Sequence, residues 1–295
     1  MSDWAVVTVI HQSERDLERL LSSLALLGPS QPHVVVVDSG STDDGPGVAR
    51  RHGATLVTLD GNPGFGVGCN RGLDHVGEPV TALLNPDVEL LDGGLETLAR
   101  DARDARRLLA PRLLNADGSV QDSAHPPPGT LEELVPALVS PRLMGARLRR
   151  RYQPWRSPTE VRCGWAIAAA LVAPTALLRE LGPFDESAFL FYEDMDLCLR
   201  AADAGAPTVL RPDVALRHLG GTSTGPALGD SHLELRARRR REVVGRLGRR
   251  RLALDDAAQA MTFATRAAGR RLVRRGDGRA GAQLRALRAV RREGG

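Results

Sequence analysis

His33-Val34-Val35-Val36-Val37 runs without a break into Asp38-Ser39-Gly40-Ser41-Thr42-Asp43-Asp44, and the reading of this stretch decides the fold. A short β-branched run bounded by turn residues reads as a strand, and its carboxyl end here delivers carboxylates, hydroxyls and a glycine together. The pattern repeats outward in both directions. Upstream, Trp4 to Ile10 is another β-rich run. After His11-Gln12-Ser13, the residues Leu17, Leu20, Leu21 and Leu24 fall on one helical face, with Ser13 placed as N-cap. Downstream, Pro46 to His52 predicts a short helix, Ala54 to Leu59 a strand and Gly66 to Val76 a helix. Val80 to Leu84 then predicts a strand and Gly94 to Ala105 a helix. Strands alternating with helices predict an α/β fold: a mostly parallel central sheet with helices on both faces. Ligands of such sheets bind beyond the carboxyl ends of the strands.

Those ends carry the polar residues. After Ala54 to Leu59 comes a segment from Asp60 to Arg71 whose glycines permit close backbone approach and whose Arg71 suits a phosphate. Its spacing is not that of a dinucleotide fingerprint, and a chain without lysine has no phosphate loop of the Gly-Lys-Ser/Thr kind. Val80 to Leu84 ends in Asn85-Pro86-Asp87, which sets a carboxylate at a strand tip; a cation or a hydrogen-bond donor must compensate it. Glu193-Asp194-Met195-Asp196 and His218 lie far downstream. Each motif has a plainer alternative. Asp38 can cap a turn, Asn85-Pro86-Asp87 can be a β-turn, the acid cluster can be a helix N-terminus, and His218 can be an ordinary buried histidine.

With 42% hydrophobic and 26% charged residues over 295 positions, the chain belongs among globular proteins with a sizeable core. Its apolar runs fall short of the roughly 20 residues of a spanning helix, and the first residues lack a basic signal-peptide region. Cys69, Cys163 and Cys198 are widely spaced, which favours reduced thiols and a cytoplasmic location over disulfides or a zinc site. All 40 basic residues are arginine, and they are unevenly placed: residues 226–295 hold 19 against 7 acids, a net +12, whereas residues 1–225 hold 21 against 29, a net −8. That split predicts a catalytic domain over 1–225 and an Arg-rich helical tail over 226–295.

In motif order, the chain resembles glycosyltransferase family 2, the inverting nucleotide-sugar transferases of the GT-A fold, from about Val6 to Gly225. Val34 to Asp44 is similar to the family's Val-Val-Asp-Asn-Gly-Ser-Thr-Asp segment, which implies a nucleotide-base contact for Asp38, with Ser39 in place of the customary asparagine. Ile10-His11-Gln12 stands where relatives have Asn-Tyr-Asn, so His11 would supply any stacking on the base. Asn62, Phe65, Asn70 and Arg71 match the Asn-x-Gly-Phe-x-x-x-x-Asn segment that flanks the nucleotide and diphosphate. Asn85-Pro86-Asp87 occupies the place of the Asp-x-Asp metal motif: Asn85 and Pro86 on the nucleotide side, Asp87 on the cation.

Gly182-Pro183-Phe184-Asp185-Glu186 and Glu193-Asp194-Met195-Asp196-Leu197 resemble the family's Gly-Gly-Phe-Asp-Glu and Glu-Asp-x-Asp-Leu pair, which implies Asp194 as catalytic base beside Glu193. The segment from Arg200 to Pro212, followed by His218 and Ser223, resembles the closing helix, strand and metal-ligand histidine. Trp165 marks the acceptor side, where Ala166-Ile167-Ala168-Ala169 replaces the usual Ser-Gly. Relatives carrying Asn-Pro-Asp are often rhamnosyltransferases of bacterial cell-surface polysaccharide assembly.

The resemblance implies Mn2+ or Mg2+ held by Asp87 and His218, a donor such as dTDP-rhamnose or a UDP-sugar, and a glycan or lipid-linked acceptor. The Pro-rich stretch from Ala124 to Trp155, with Arg147, Arg149, Arg150 and Arg151 at one end, reads as a loop over the acceptor. Leu233 to Leu252, Ala257 to Val273 and Gln283 to Val290 read as basic helices. Peripheral contact with anionic membrane or packing on an acidic protein surface is expected of them, and nucleic-acid binding is not. Two alternatives stay open: a catalytically silent nucleotide-sugar-binding or scaffold protein, and a sugar nucleotidyltransferase, against which the absence of lysine argues.

Overall fold

The computed structural model describes residues 2–138, 144–220, 231–272 and 278–293. The chain divides into two compact units, one of Met1–His125 with Trp155–Thr224, the other of Pro126–Pro154 with Gly225–Gly295. The α/β expectation holds for the first.

Its sheet begins with β1 (Trp4–Ile10), β2 (His33–Asp38), β3 (Thr55–Thr58) and β4 (Val80–Leu84), in the order β3-β2-β1-β4 and parallel throughout. In this register Ile10 pairs with Asp38, so the ends of β1 and β2 deliver their polar residues side by side. All seven residues of β1 are buried, because helices cover both faces. One is α1 (Glu14–Ala25), whose stripe Leu17, Leu20, Leu21 and Leu24 is at most 3% exposed. Each of those leucines contributes about 1.5–3 kcal/mol of transfer free energy. Ser13 stands at the N-cap of α1 as predicted, but its hydroxyl donates to the His11 carbonyl, and it is the Asp43 carboxylate that accepts from the Glu14 N–H at 2.8 Å. After α2 (Gly45–Arg51), the helix α3 (Phe65–Leu73) explains part of the glycine-rich segment. A Cβ on Gly72 would lie 2.4 Å from a Val7 methyl, and one on Gly68 would lie 2.7 Å from a Val9 methyl. These two glycines let the helix lie directly on β1.

The second half adds strands that local pattern does not reveal. β5 (Val88–Leu90), α4 (Gly94–Ala102), β6 (Leu108–Leu114) and β7 (Ala124–His125) are followed by β8 (Val161–Cys163), β9 (Trp165–Ala166) and β10 (Ala170–Pro174). Then come α7 (Thr175–Leu181), α8 (Glu193–Asp203) and β11 (Thr208–His218). β10 enters antiparallel between β4 and β6, β11 runs parallel to β6 and antiparallel to β5 and β8, and β7 pairs with β9 as a separate ribbon. The closing strand, expected within Arg200 to Pro212 and before His218, spans Thr208–His218, past a register irregularity between Arg211 and Ala215 that contains Pro212.

The second unit is helical. The stretch read as a loop holds α5 (Leu131–Leu138) and α6 (Ala146–Tyr152), and the tail holds α9 (Ser231–Gly245), α10 (Arg249–Leu272) and α11 (Gly278–Glu293). The helix predicted across 233–252 is broken after Gly245, with Gly248 at φ +103°, a conformation that a residue with a Cβ resists. Arg149 donates to the Met144 carbonyl and Arg151 pairs with Glu132, which accounts for two of the four clustered arginines. Arg240 grips the fully buried Asp255 through Nε and Nη2 and reaches Glu133 at 2.8 Å; Gln259 donates to the same aspartate. Burial pushes the Glu133 carboxyl up to about 7 against the pull of Arg240. Val273, the expected end of one tail helix, and Ser223 and Gly225 lie outside the described residues. No described helix is long and apolar enough to cross a membrane.

Candidate active site

The turn Asn85-Pro86-Asp87 sits where β4 ends. The Asn85 N–H donates to the Ala169 carbonyl at 2.9 Å, and the chain then re-enters the sheet as β5, whose Val88 pairs with His218 of β11. This antiparallel pairing places Asp87 and His218 together: Nε2 and Oδ1 are 3.2 Å apart, and the two residues are 9% and 8% exposed. The backbone after β11 wraps the same carboxylate. Gly220 N–H donates to Asp87 Oδ2 at 3.0 Å and Leu219 N–H to the Asp87 carbonyl.

Gln121 fixes the imidazole. Its Nε2 donates to Asn115 Oδ1 at 3.1 Å, so its Oε1, 2.8 Å from His218 Nδ1, accepts a hydrogen bond from that nitrogen. With Nδ1 carrying hydrogen, Nε2 of the neutral ring presents a lone pair to Asp87. Two acceptors so placed are stabilised by a second proton on the ring or by a cation that both ligate. One carboxylate and one imidazole with an oriented second nitrogen suit a divalent ion that takes its remaining ligands from phosphate and water. Among the described residues no group of three or more His, Cys, Asp or Glu side chains forms a self-sufficient cage. The donor set therefore fits a cation shared with an anionic ligand.

At the neighbouring strand ends, Asp38 is 4% exposed and takes the Ser41 N–H on Oδ1 at 2.9 Å. His11 Nδ1 donates to the Ser39 carbonyl at 2.8 Å, and the Ser39 N–H donates back to Ile10. The Ser39 hydroxyl is buried and has no hydrogen-bond partner among the described residues. Asn62 caps the Gly64 N–H, and Phe65 meets Phe184 edge-on at 5.8 Å. Asn70 clamps Phe184, donating to its carbonyl and accepting its N–H, while Arg71 is bidentate to Glu186. The Asn70 amide, then Arg71, hold the Glu186 carboxyl below its ordinary value. Asn70 and Arg71 thus tie α3 to the Phe184-Asp185-Glu186 turn.

That turn leads to the acids. Phe191 and Tyr192 have φ of +76° and +60°, two successive left-handed residues that bear side chains, each costing on the order of 1–2 kcal/mol. The kink starts α8 at Glu193. Asp194 Oδ2 accepts the Ala168 N–H at 3.2 Å and Oδ1 accepts the Met195 N–H at 2.7 Å. Ala168 neighbours Ala169, which holds Asn85, so two adjacent backbone links join the acid pair to the Asn85-Pro86-Asp87 turn. Glu193 is 8% exposed beside them. Asp196, in contrast, is paired with Arg200 at 2.8 Å, and Arg200 also ties down the carbonyls of Gly182 and Pro183: a helix-anchoring role.

Trp165 lies next to Tyr192, edge to face at 6.1 Å, and is stacked on His125 at 4.2 Å, which in turn meets Trp155 at 5.7 Å. Gln121 and Tyr192 are site neighbours that the sequence reading missed; His125 and Trp155 fall in the stretch read as a loop over the acceptor and Ala168 in the acceptor-side segment, but none of the three was given these contacts. Tyr192 had a signal, its place directly before the acid pair. Gln121 had none, since a lone amide after a turn resembles any other.

A family model described as Glycosyl transferase family 2 matches residues 5–168. An N-acetylglucosaminyl-diphospho-decaprenol L-rhamnosyltransferase of Mycobacterium tuberculosis is 30% identical over 236 residues, which cover 75% of this chain and 77% of the relative. The low-salt glycan biosynthesis hexosyltransferase Agl10 of Haloferax volcanii is 24% identical over 68% of this chain and 62% of its own. Among solved structures, the mannosyltransferase PcManGT of Pyrobaculum calidifontis in complex with GDP-Man and Mn2+ has a TM-score of 0.59 at 16% identity, covering 99% of this chain and 86% of that one. TarS 1-349 of S. aureus in complex with UDP-GlcNAc has a TM-score of 0.56 at 15% identity, covering 100% and 92%.

Proposed function

The chain belongs to glycosyl transferase family 2 and is a glycosyltransferase of GT-A fold, and from that premise we propose that it is an inverting, metal-dependent rhamnosyltransferase acting on a lipid-linked acceptor. The observation that carries the proposal is the convergence, on adjacent strand ends, of the Asp87–His218 pair with Asp194 through the Asn85–Ala169 and Ala168–Asp194 links. The mycobacterial relative, an L-rhamnosyltransferase of N-acetylglucosaminyl-diphospho-decaprenol, supports rhamnose as the sugar and a sugar diphosphate on an isoprenoid chain as acceptor; the donor in this reading is dTDP-rhamnose.

In this reading Asp38, with the Ser39 hydroxyl and His11, receives the nucleotide base, and Asn62, Phe65, Asn85 and Pro86 border it. Asp194 accepts the acceptor-hydroxyl proton while that oxygen attacks the anomeric carbon, and the bond to the diphosphate breaks on the opposite face, so configuration inverts. The Ala168 and Met195 N–H groups hold the Asp194 carboxylate in orientation. Glu193 positions the attacking hydroxyl, and Trp165 walls the acceptor side. When bound, Mn2+ or Mg2+ held by Asp87 and His218 supplies positive charge for the leaving diphosphate. Gln121 keeps the His218 tautomer that such a ligand requires. The Arg-rich tail, residues 226–295, holds the enzyme peripherally on the anionic cytoplasmic face of the membrane.

The test is a transfer assay with dTDP-rhamnose and a lipid-linked N-acetylglucosaminyl diphosphate. It should release dTDP with manganese or magnesium and stop in chelator. Turnover unaffected by chelation would refute metal dependence, and pyrophosphate as product would refute transfer altogether.

A further inference from the structure

Within the helical unit, α10 and α11 flank an open surface groove of about 770 Å³, a volume in the range of small-molecule sites. Its lining follows one rule on both helices: positions 264, 267, 268 and 271 of α10, and 281, 284, 285 and 288 of α11. Each set is spaced i, i+3, i+4, i+7, so each is a single helical face. The small side chains Ala264 and Ala267 leave the space open and, with Leu284, give it an apolar floor, whereas Arg271, Arg285 and Arg288 bring guanidinium groups to the same cavity.

We infer that this groove is a docking site for a membrane phospholipid, the floor taking part of a hydrocarbon chain and the three arginines its phosphate. The inference rests on the membrane reading above and names where in the tail it acts. Charge complementarity selects the occupant. A second copy of the chain would bring the same tail, +12 over residues 226–295, against its own kind. A nucleic acid would supply phosphates but leave the floor bare, and none of the lining residues is an aromatic on which a base could stack. An anionic phospholipid meets both halves at once, and a guanidinium, planar and weakly hydrated, suits phosphate beside hydrocarbon.

The experiment is sedimentation of the full chain with phosphatidylglycerol vesicles and with pure phosphatidylcholine vesicles. The wild type should bind the former, and Arg271→Gln with Arg285→Gln and Arg288→Gln should weaken that binding about a hundredfold, near fivefold per guanidinium. A control that removes equal charge elsewhere on α10, Arg249→Gln with Arg250→Gln and Arg266→Gln, should cost only a few-fold. Leu284→Gln, which leaves the charge intact, should weaken binding about tenfold, and Leu284→Met should restore it, with helix content unchanged by circular dichroism in every variant. Equal losses in the two triple variants, with Leu284→Gln binding like the wild type, would overturn the groove and leave a diffuse attraction. Absence of wild-type binding would overturn the membrane reading as well. Tighter binding of a single-stranded oligonucleotide than of the vesicles would overturn the choice of ligand.

Discussion

Both units bury carboxylates, but they satisfy them differently. At the sheet unit's strand ends the buried Asp87 and Asp38 and the half-buried Asp194 are held by backbone N–H groups from Gly220, Ser41, Ala168 and Met195, whereas the buried Asp196, on the helix behind them, is paired with Arg200. In the helical unit Asp255 is met by a guanidinium at two nitrogens and by an amide, with Glu133 on the same arginine. A backbone donor fixes a carboxylate without neutralising it, so the charge stays available to a ligand; a buried arginine neutralises it in place. Burial alone therefore does not mark a site. The kind of partner does.

The comparison breaks most visibly at Arg240. Arg240→Met leaves Asp255 buried without its cation, and losing one member of a buried pair costs about 3–5 kcal/mol. Urea unfolding followed by circular dichroism should show that loss, and a change below about 1 kcal/mol would mean that Asp255 is not held as described. A smaller effect should follow at the sheet site from Gln121→Leu, which removes the acceptor that fixes the His218 ring without adding or removing charge. Apparent manganese affinity in the transfer assay should fall about 10–100-fold, as for other groups that hydrogen-bond the far nitrogen of a metal-bound histidine, while folding stability changes little. Unchanged metal dependence would separate Gln121 from the site.

The parallel half of the sheet was legible because each strand and helix announces itself locally. Four valines in β2 and the Leu17–Leu24 stripe of α1 need no distant partner to be recognised. The second half was not, since β10 is defined by pairing with β4 and β6, and β11 passes through Pro212, which breaks the apolar pattern. The site divides along the same line. Asp38 and Asp87 stand at the ends of apolar runs, and Asp194 and His218 came from motif order. Gln121, His125 and Trp155 reach it only through long-range pairing such as β7 with β9. The glycines from Asp60 to Arg71 were read as permitting close backbone approach; at Gly68, joined by Gly72, the approach is that of α3 to β1, against Val9 and Val7. Arg71 was read toward phosphate, and its guanidinium lies on Glu186.

In the proposed mechanism Asp194, oriented by two backbone donors beside the Asp87–His218 pair, takes the acceptor proton. The most direct measurement is kcat for dTDP release by Asp194→Asn, an isosteric change that retains the side-chain oxygen able to accept from Ala168. Loss of the general base predicts a fall of about 10²–10⁴-fold, with donor binding by thermal shift preserved. A variant that binds donor and turns over at the wild-type rate would contradict the account.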